Sequence, residues 1–486
     1  MPIKLFFSLL LVTLVVSPTT AQQSGVNSVA NNGTVAFVNV NVIPMDRERV
    51  LRDQTVVVRD GRISQIGPAS RTKAPEGALR IDGRGRYLMP GLFDMHTHLF
   101  SDDEFPDELA DEELFIMLAN GVTTARLMIG TPEHLTYREK IANGELLGPT
   151  LFVASPQITG RKQGAIFNGR VVTTPEEARS AVRDFKTAGY DFIKLTNFIT
   201  RPVYDAVVET AKEIGMRVVG HVDTRVGVAR ALEAGQQIEH LDAYLESVLK
   251  DDSPIKTSVS DIGLFRKQNW ESLDFIDERK VREIARATAR AKIYSTPTLT
   301  FFKIAFGTGA SEDEIRARPD FKFVPQRMRE AWFAANKRLW AQPPSEARRR
   351  EYVRVRNLLV KEIHDAGGKI MAGSDSPELF LLYGFSLHRE IKNLTEAGLS
   401  AYAALEAATR NPAEFLGTLK TTGTIEKGKR ADLLLLTANP LEDVTATERR
   451  AGVMVRGRWL SEDELKRRLT EIAPRFQTAF DAKQGQ

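Results

Sequence analysis

The chain contains no cysteine. Disulfides, thiolate metal ligands and lipid attachment through cysteine are thereby excluded. Any metal must be held by His, Asp, Glu or an oxygen derived from Lys. Excess charge is also missing. Lys and Arg total 67 against 63 Asp and Glu, a formal net charge of +4, too small and too scattered to argue for nucleic acid as a partner. No segment beyond the first residues is apolar enough to span a bilayer. Internal repeats and low-complexity stretches are absent as well.

What is present begins with a leader-like run. Lys4 precedes an apolar stretch, residues 5–16, broken by Ser17 and Pro18 and followed by Thr19, Thr20 and Ala21. This pattern predicts a secretory signal peptide over residues 1–21, too short for a spanning helix. Export to a periplasm or the medium is expected, with no stable membrane insertion once the leader is removed. Residues 22–33 read as a polar linker.

Residues 34–66 alternate like short strands around an Asp60-Gly61 turn, and residues 431–436 and 453–460 repeat that signal. Segments 34–89 and 418–462 are therefore expected to form one composite β-sandwich domain, followed by a helical tail over 463–486. Between them, strand-like runs fall at 92–96, 122–128, 150–154, 192–195, 217–221, 237–240, 293–298 and 369–372. Amphipathic helices such as 175–188, 201–214 and 226–234 separate them. The spacing predicts an α/β fold, a (β/α)8 TIM barrel over residues 90–417. Two long stretches, 249–291 and 302–368, interrupt it. The second is rich in Arg and Lys, and reads either as solvated helices at the rim or as a lid that attracts anions.

The run YLMPGLFDMHTHLF, residues 87–100, is the most informative. His96 and His98 are spaced i and i+2, so on a strand they share a face and can grip one transition-metal ion. Other chemically able residues also fall at strand ends: Lys194 in DFIKLTN, His221 in VVGHVDT, His240 in QIEHLD and Asp375 after strand eight in IMAGSDSP. Active sites of this barrel are built at those ends. His134, His364 and His388 lie in helical patterns and read as structural.

PGLFDMHTH, GHV, IEH and GSDS, followed by NPAEFLG and GTIEKGKRADLLLL, resemble the metal-dependent amidohydrolase superfamily, in its imidazolonepropionase-like and prolidase-like (Xaa-Pro dipeptidase-like) branch. The resemblance implies that His96, His98 and Asp375 hold one divalent ion and His221 and His240 a second. It implies that carbon dioxide forms a carbamate on Lys194 that bridges both ions. Zinc suits these ligands best, with Mn, Co or Fe open. The implied activity is hydrolysis of an amide C–N bond by metal-activated hydroxide, Asp375 taking and returning the proton.

Relatives of the peptidase type often carry Gly-His-Gly after strand three and Tyr two residues beyond the strand-five histidine. Here ITGRKQG and Asp223 stand at those places, which argues against a strict proline dipeptidase. Arg161 and Lys162 are expected to bind a substrate carboxylate, as in a dipeptide or N-acyl amino acid. The alternatives are a cyclic amide or lactone hydrolase with the same centre, or a non-catalytic metal-binding protein on this scaffold. The expected partner is a small molecule, and homo-oligomerisation is left open.

Overall fold

The computed structural model describes residues 33–99, 109–162, 169–254, 270–307 and 310–478. The expected signal peptide and nearly all of the linker lie outside them. Among the described residues, no helix is long and apolar enough to cross a membrane.

The body is α/β. Leu92–Thr97, Val122–Leu127 and Thr150–Val153 form one parallel sheet. A second parallel sheet runs in the order Gly169–Val171, Gln157–Thr159, Phe192–Leu195, Arg217–Gly220, Gln237–Glu239, Tyr294–Thr296 and Lys369–Ile370. Hydrogen bonds join the two at both ends. On one side Asp191 N donates to Val153 O and Ser155 N to Phe192 O, each at 2.8 Å. On the other, Met95 N donates to Ala372 O at 3.0 Å and Asp375 N to His96 O at 2.7 Å. Every residue of Leu92–Thr97 is buried, as expected for a parallel strand covered on both faces.

Local chemistry sets the helix ends. Thr173-Thr174-Pro175 opens the helix Pro175–Ala188, where Thr174 accepts from Glu177 N and the Glu177 carboxylate accepts from Thr174 N. That reciprocal cap satisfies N–H groups the helix cannot. Gly189, at φ 92°, closes the other end in the left-handed conformation that glycine adopts freely.

The chain's two ends meet in one eight-stranded sheet, ordered Arg458–Ser461, Arg450–Val455, Leu433–Leu436, Tyr87–Pro90, Val35–Val42, Leu51–Arg59 and Arg62–Pro68, with Leu79–Asp82 also pairing to Val35–Val42. The seam is the antiparallel pairing of Tyr87–Pro90 with Leu433–Leu436.

The Arg- and Lys-rich stretch forms the helices Glu312–Arg316, Gln326–Leu339 and Glu346–Asp365. Many of its cations are spent in surface ion pairs, such as Arg348–Asp274 at 2.5 Å and Arg354–Glu278 at 3.2 Å. Arg356 differs: it is buried, donates to the His240 carbonyl, and places its guanidinium 3.4 Å from the Phe302 ring centroid.

Candidate active site

Register brings the candidate residues together. Leu195 pairs with Gly220, Gly220 with Ile238, and Glu239 with Thr296, so Lys194, His221 and His240 lie at neighbouring strand ends. His96, His98, Lys194, His221, His240 and Asp375 all line one cavity of about 300 Å³, with Phe301 and Phe302 on its wall. Ligand atoms of His96, His240 and Asp375 lie within 4.8 Å of one another. His96 Nε2 is 3.2 Å and His98 Nε2 3.3 Å from Asp375 Oδ1. The His221 and His240 rings stack with centroids 4.7 Å apart. His240 therefore stands between the two expected groups of ligands, close to Asp375 as well as to His221.

Backbone geometry is unusual at these residues. His240, Asp375 and Thr298 have φ of 61°, 56° and 44°. Non-glycine residues held there cost of order 1–3 kcal/mol each, a strain that gathers at functional sites. Gly220 meets a different demand. A Cβ there would lie 2.3 Å from Leu195 O and 2.9 Å from Lys194 Cδ, so glycine before His221 leaves room for the Lys194 stem.

The donor set fits a cation. His96 Nδ1 is 2.7 Å from Glu239 Oε2, and His221 Nδ1 is 2.7 Å from Asp242 Oδ2. A carboxylate only accepts, so each Nδ1 carries the proton, and in the neutral ring it is Nε2 that keeps the lone pair. His240 Nδ1 contacts Thr298 Oγ1 at 2.7 Å. Burial holds His96 and His240 well below the ordinary imidazole range, so both stay neutral. Asp375 is coupled to these rings: burial pushes its carboxyl up, and charge on His96, His240 or His98, where present, pulls it down, the balance lying below the usual carboxylate range. The His96 Nε2 lone pair facing the Asp375 carboxylate at 3.2 Å is repelled unless a cation lies between them. Lys194 is 2 % exposed, and burial brings its ammonium down to about 8 against the pull of Glu239 and Asp375. The neutral amine that carbamate formation requires is thus accessible near neutral pH.

The Amidohydrolase family profile matches residues 87–460. The chain belongs to the Amidohydrolase family. It is similar to the imidazolonepropionase of Micrococcus luteus, with 34% identity over 139 residues, 27% of this chain and 31% of that relative. That match thus spans less than a third of the relative's length. Among solved structures it is similar to bottromycin amidohydrolase, at 25% identity and a TM-score of 0.72, covering 91% of this chain and 90% of the other. A protein of Bifidobacterium longum, provisionally described as a prolidase, gives 27% identity and a TM-score of 0.65 over 90% of this chain and 99% of the other.

Arg161 and Lys162 are not brought to the cavity. Both are exposed and neither lines it. The Arg161 guanidinium rests 3.6 Å from the Phe198 ring centroid, a favourable stacking that holds it aside. Asp223 accepts from Phe198 N at 2.6 Å and pairs with Arg225, shaping the same loop. Two of the other histidines have structural partners: His134 accepts from Thr131 N at a helix start, and His388 contacts Thr447 Oγ1 and Asn120 O, both at 2.9 Å, while His364, half-buried on Glu346–Asp365, does not line the cavity.

Sequence reasoning missed Glu239, Asp242, Arg126 and Thr298, which orient the histidines. A signal existed for three of them: a charge inside or beside a buried strand, as in TTARL and IEHLD. Thr298 carried none.

Proposed function

We propose that this chain is an exported metal-dependent amidohydrolase that cleaves an amide C–N bond of a small substrate. The observation that carries the reading is the convergence of His96, His240 and Asp375 within 4.8 Å on a cavity that Lys194 also lines. The two parallel sheets, hydrogen-bonded to each other at both ends, are read as one closed (β/α)8 barrel with this cavity at its mouth.

His96, His98, His221, His240, Asp375 and Lys194, the last as its carbamate, would hold two divalent cations, zinc by ligand type. When bound, such cations polarise a carbonyl and lower the pKa of water. The chain's residues do the rest. Glu239 and Asp242 fix the tautomers of His96 and His221, so that ring nitrogens with lone pairs face the site. Asp375, ionised at neutral pH, takes a proton from water and returns it to the leaving nitrogen. Phe301 and Phe302 give a space of about 300 Å³ an apolar wall against which a substrate can pack.

A dipeptide or N-acyl amino acid suits that volume. The likeness to an imidazolonepropionase favours a second reading, a cyclic amide opened by the same centre. Export rests on the apolar run of residues 5–16, and the mass of the mature chain checks it: loss of about the first 21 residues is expected.

Metal-loaded protein should hydrolyse amides, and a chelator should abolish this reversibly. Asp375→Asn should lower kcat by at least about 10³-fold while the protein still takes up metal. Turnover that survives both the chelator and the substitution would overturn the reading.

A further inference from the structure

The helix Glu346–Asp365 buries an apolar face of Tyr352, Val355, Leu359, Val360 and Ile363, and Arg356 sits in the middle of it at 2 % exposure. A buried charge gains little stability over a well-packed apolar side chain of similar size, so packing alone does not account for a guanidinium there. Its contacts lead to the cavity instead. Arg356 Nη2 donates to the His240 carbonyl, and Nη1 donates to Tyr352 Oη at 3.2 Å. The guanidinium also lies 3.4 Å from the centroid of the Phe302 ring. That ring lines the cavity and meets the His240 ring edge to face at 6.1 Å.

The His240 carbonyl belongs to a strained turn. His240 and Leu241 have φ of 61° and 53°, so the chain leaves the strand Gln237–Glu239 in a sharp left-handed turn at the cavity. Such backbone persists only where neighbouring groups hold it. Thr298 Oγ1 contacts the ring at Nδ1, 2.7 Å away, and Arg356 holds the carbonyl. Asp242, which fixes His221 Nδ1, lies within coulombic reach of the same guanidinium.

We infer that Arg356 is a positioning residue of the centre: one planar cation from the inserted helix fixes both the His240 backbone, and with it the imidazole, and the Phe302 wall. Lysine is not its equivalent. An ammonium is a point donor on a flexible stem and lacks the planar fork that stacks and donates at once. The Arg- and Lys-rich insert thus reaches the centre from behind Phe302. The inference rests on the metal-hydrolase reading for the centre's task, but not for the contacts that Arg356 makes.

Metal-stripped full-length protein is titrated with cobalt(II) alone, whose visible absorption reports ligand geometry, so binding is read without turnover. Arg356→Met keeps the bulk and removes charge and donors, whereas Arg356→Lys keeps the buried charge. Both should bind cobalt about tenfold or more weakly than the wild type, with shifted visible bands, at a temperature well below each protein's melt. A residue serving packing alone would lower the melt and leave the bands in place. If Arg356→Met does not fold, Arg356→Lys decides. Affinity within about threefold of the wild type and unshifted bands in the Lys variant overturn the inference.

Hydrolysis of glycyl-L-phenylalanine and N-acetyl-L-phenylalanine by the cobalt-loaded proteins is followed in parallel. Shifted bands in the variants, with no turnover even by the wild type, support the inference and sink the hydrolase reading for these substrates. Turnover with the same kcat and KM in all three proteins, on unshifted bands, does the reverse. A wild type that takes up no cobalt overturns both.

Discussion

Glu239 shows how much of this site is carried by residues that touch no substrate. Its side chain has no solvent exposure, and its two oxygens are divided between His96 Nδ1 at 2.7 Å and Arg126 Nη2 at 2.6 Å. Arg126 in turn donates to Gln237 Oε1 at 2.6 Å and to Met95 O at 2.7 Å, locking two strands together behind the histidines. Glu239→Gln keeps the shape but removes the charge that selects the His96 tautomer. Zinc affinity should fall about 10–100-fold in competition with a chelating dye, and the melt should move down as Arg126 loses its counter-ion. Unchanged affinity would mean that Glu239 serves only the fold. The histidines were legible in sequence because a metal site needs a few residue types at strand ends. The Glu239–His96 pair joins positions 143 residues apart, a contact that only the strand register creates.

At the scale of elements, the parallel strands were readable because buried strands are short apolar runs between helices with strong caps. Gln157–Thr159 and Gly169–Val171 were not, since three residues carry too little pattern to register. The turn Leu299–Phe302, which carries the aromatic wall, depends on a helix distant in sequence. Glu390, on Phe385–Glu396, accepts from Leu299 N at 2.9 Å, Thr300 N at 2.7 Å and Thr300 Oγ1 at 2.8 Å. Burial raises its carboxyl from 4.5 to about 7, against those hydrogen bonds. Between these two values the native state keeps a proton that the unfolded chain has released, so this group's contribution to stability falls as pH rises through that window. Glu390→Gln removes the titration. The melting temperature of the wild type minus that of the variant should therefore drop between pH 4.5 and pH 7.5. The buried, neutral His388 acts in the opposite sense below its unfolded pKa, but it is common to both proteins and cancels. A difference flat with pH would show that Glu390 is ionised in the folded chain throughout.

The whole molecule is held by the strand Leu433–Leu436, whose four leucines alternate between two cores. Leu433 and Leu435 pack with Phe37, Val56 and Met454 inside the eight-stranded sheet, whereas Leu434 and Leu436 join the large cluster of the α/β body. All four are at most 1 % exposed. Leu434 fits so closely that a Cβ on Gly121 would lie 2.9 Å from both of its methyls. A strand buried on both faces couples the sheet to the body, so the two should open together rather than as separate units. Leu434→Ala leaves a cavity at that seam and should cost about 2–5 kcal/mol. Under conditions where exchange follows global opening, hydrogen exchange read by mass spectrometry should speed up by one common factor in peptides covering Val35–Val42 and Phe192–Leu195. Val35–Val42 lies in the terminal sheet and Phe192–Leu195 in the parallel one, with no strand pairing between them. Acceleration confined to one peptide would show that the seam is a hinge between independent units, and that the terminal sheet can open without disturbing the strands that carry Lys194 and His221.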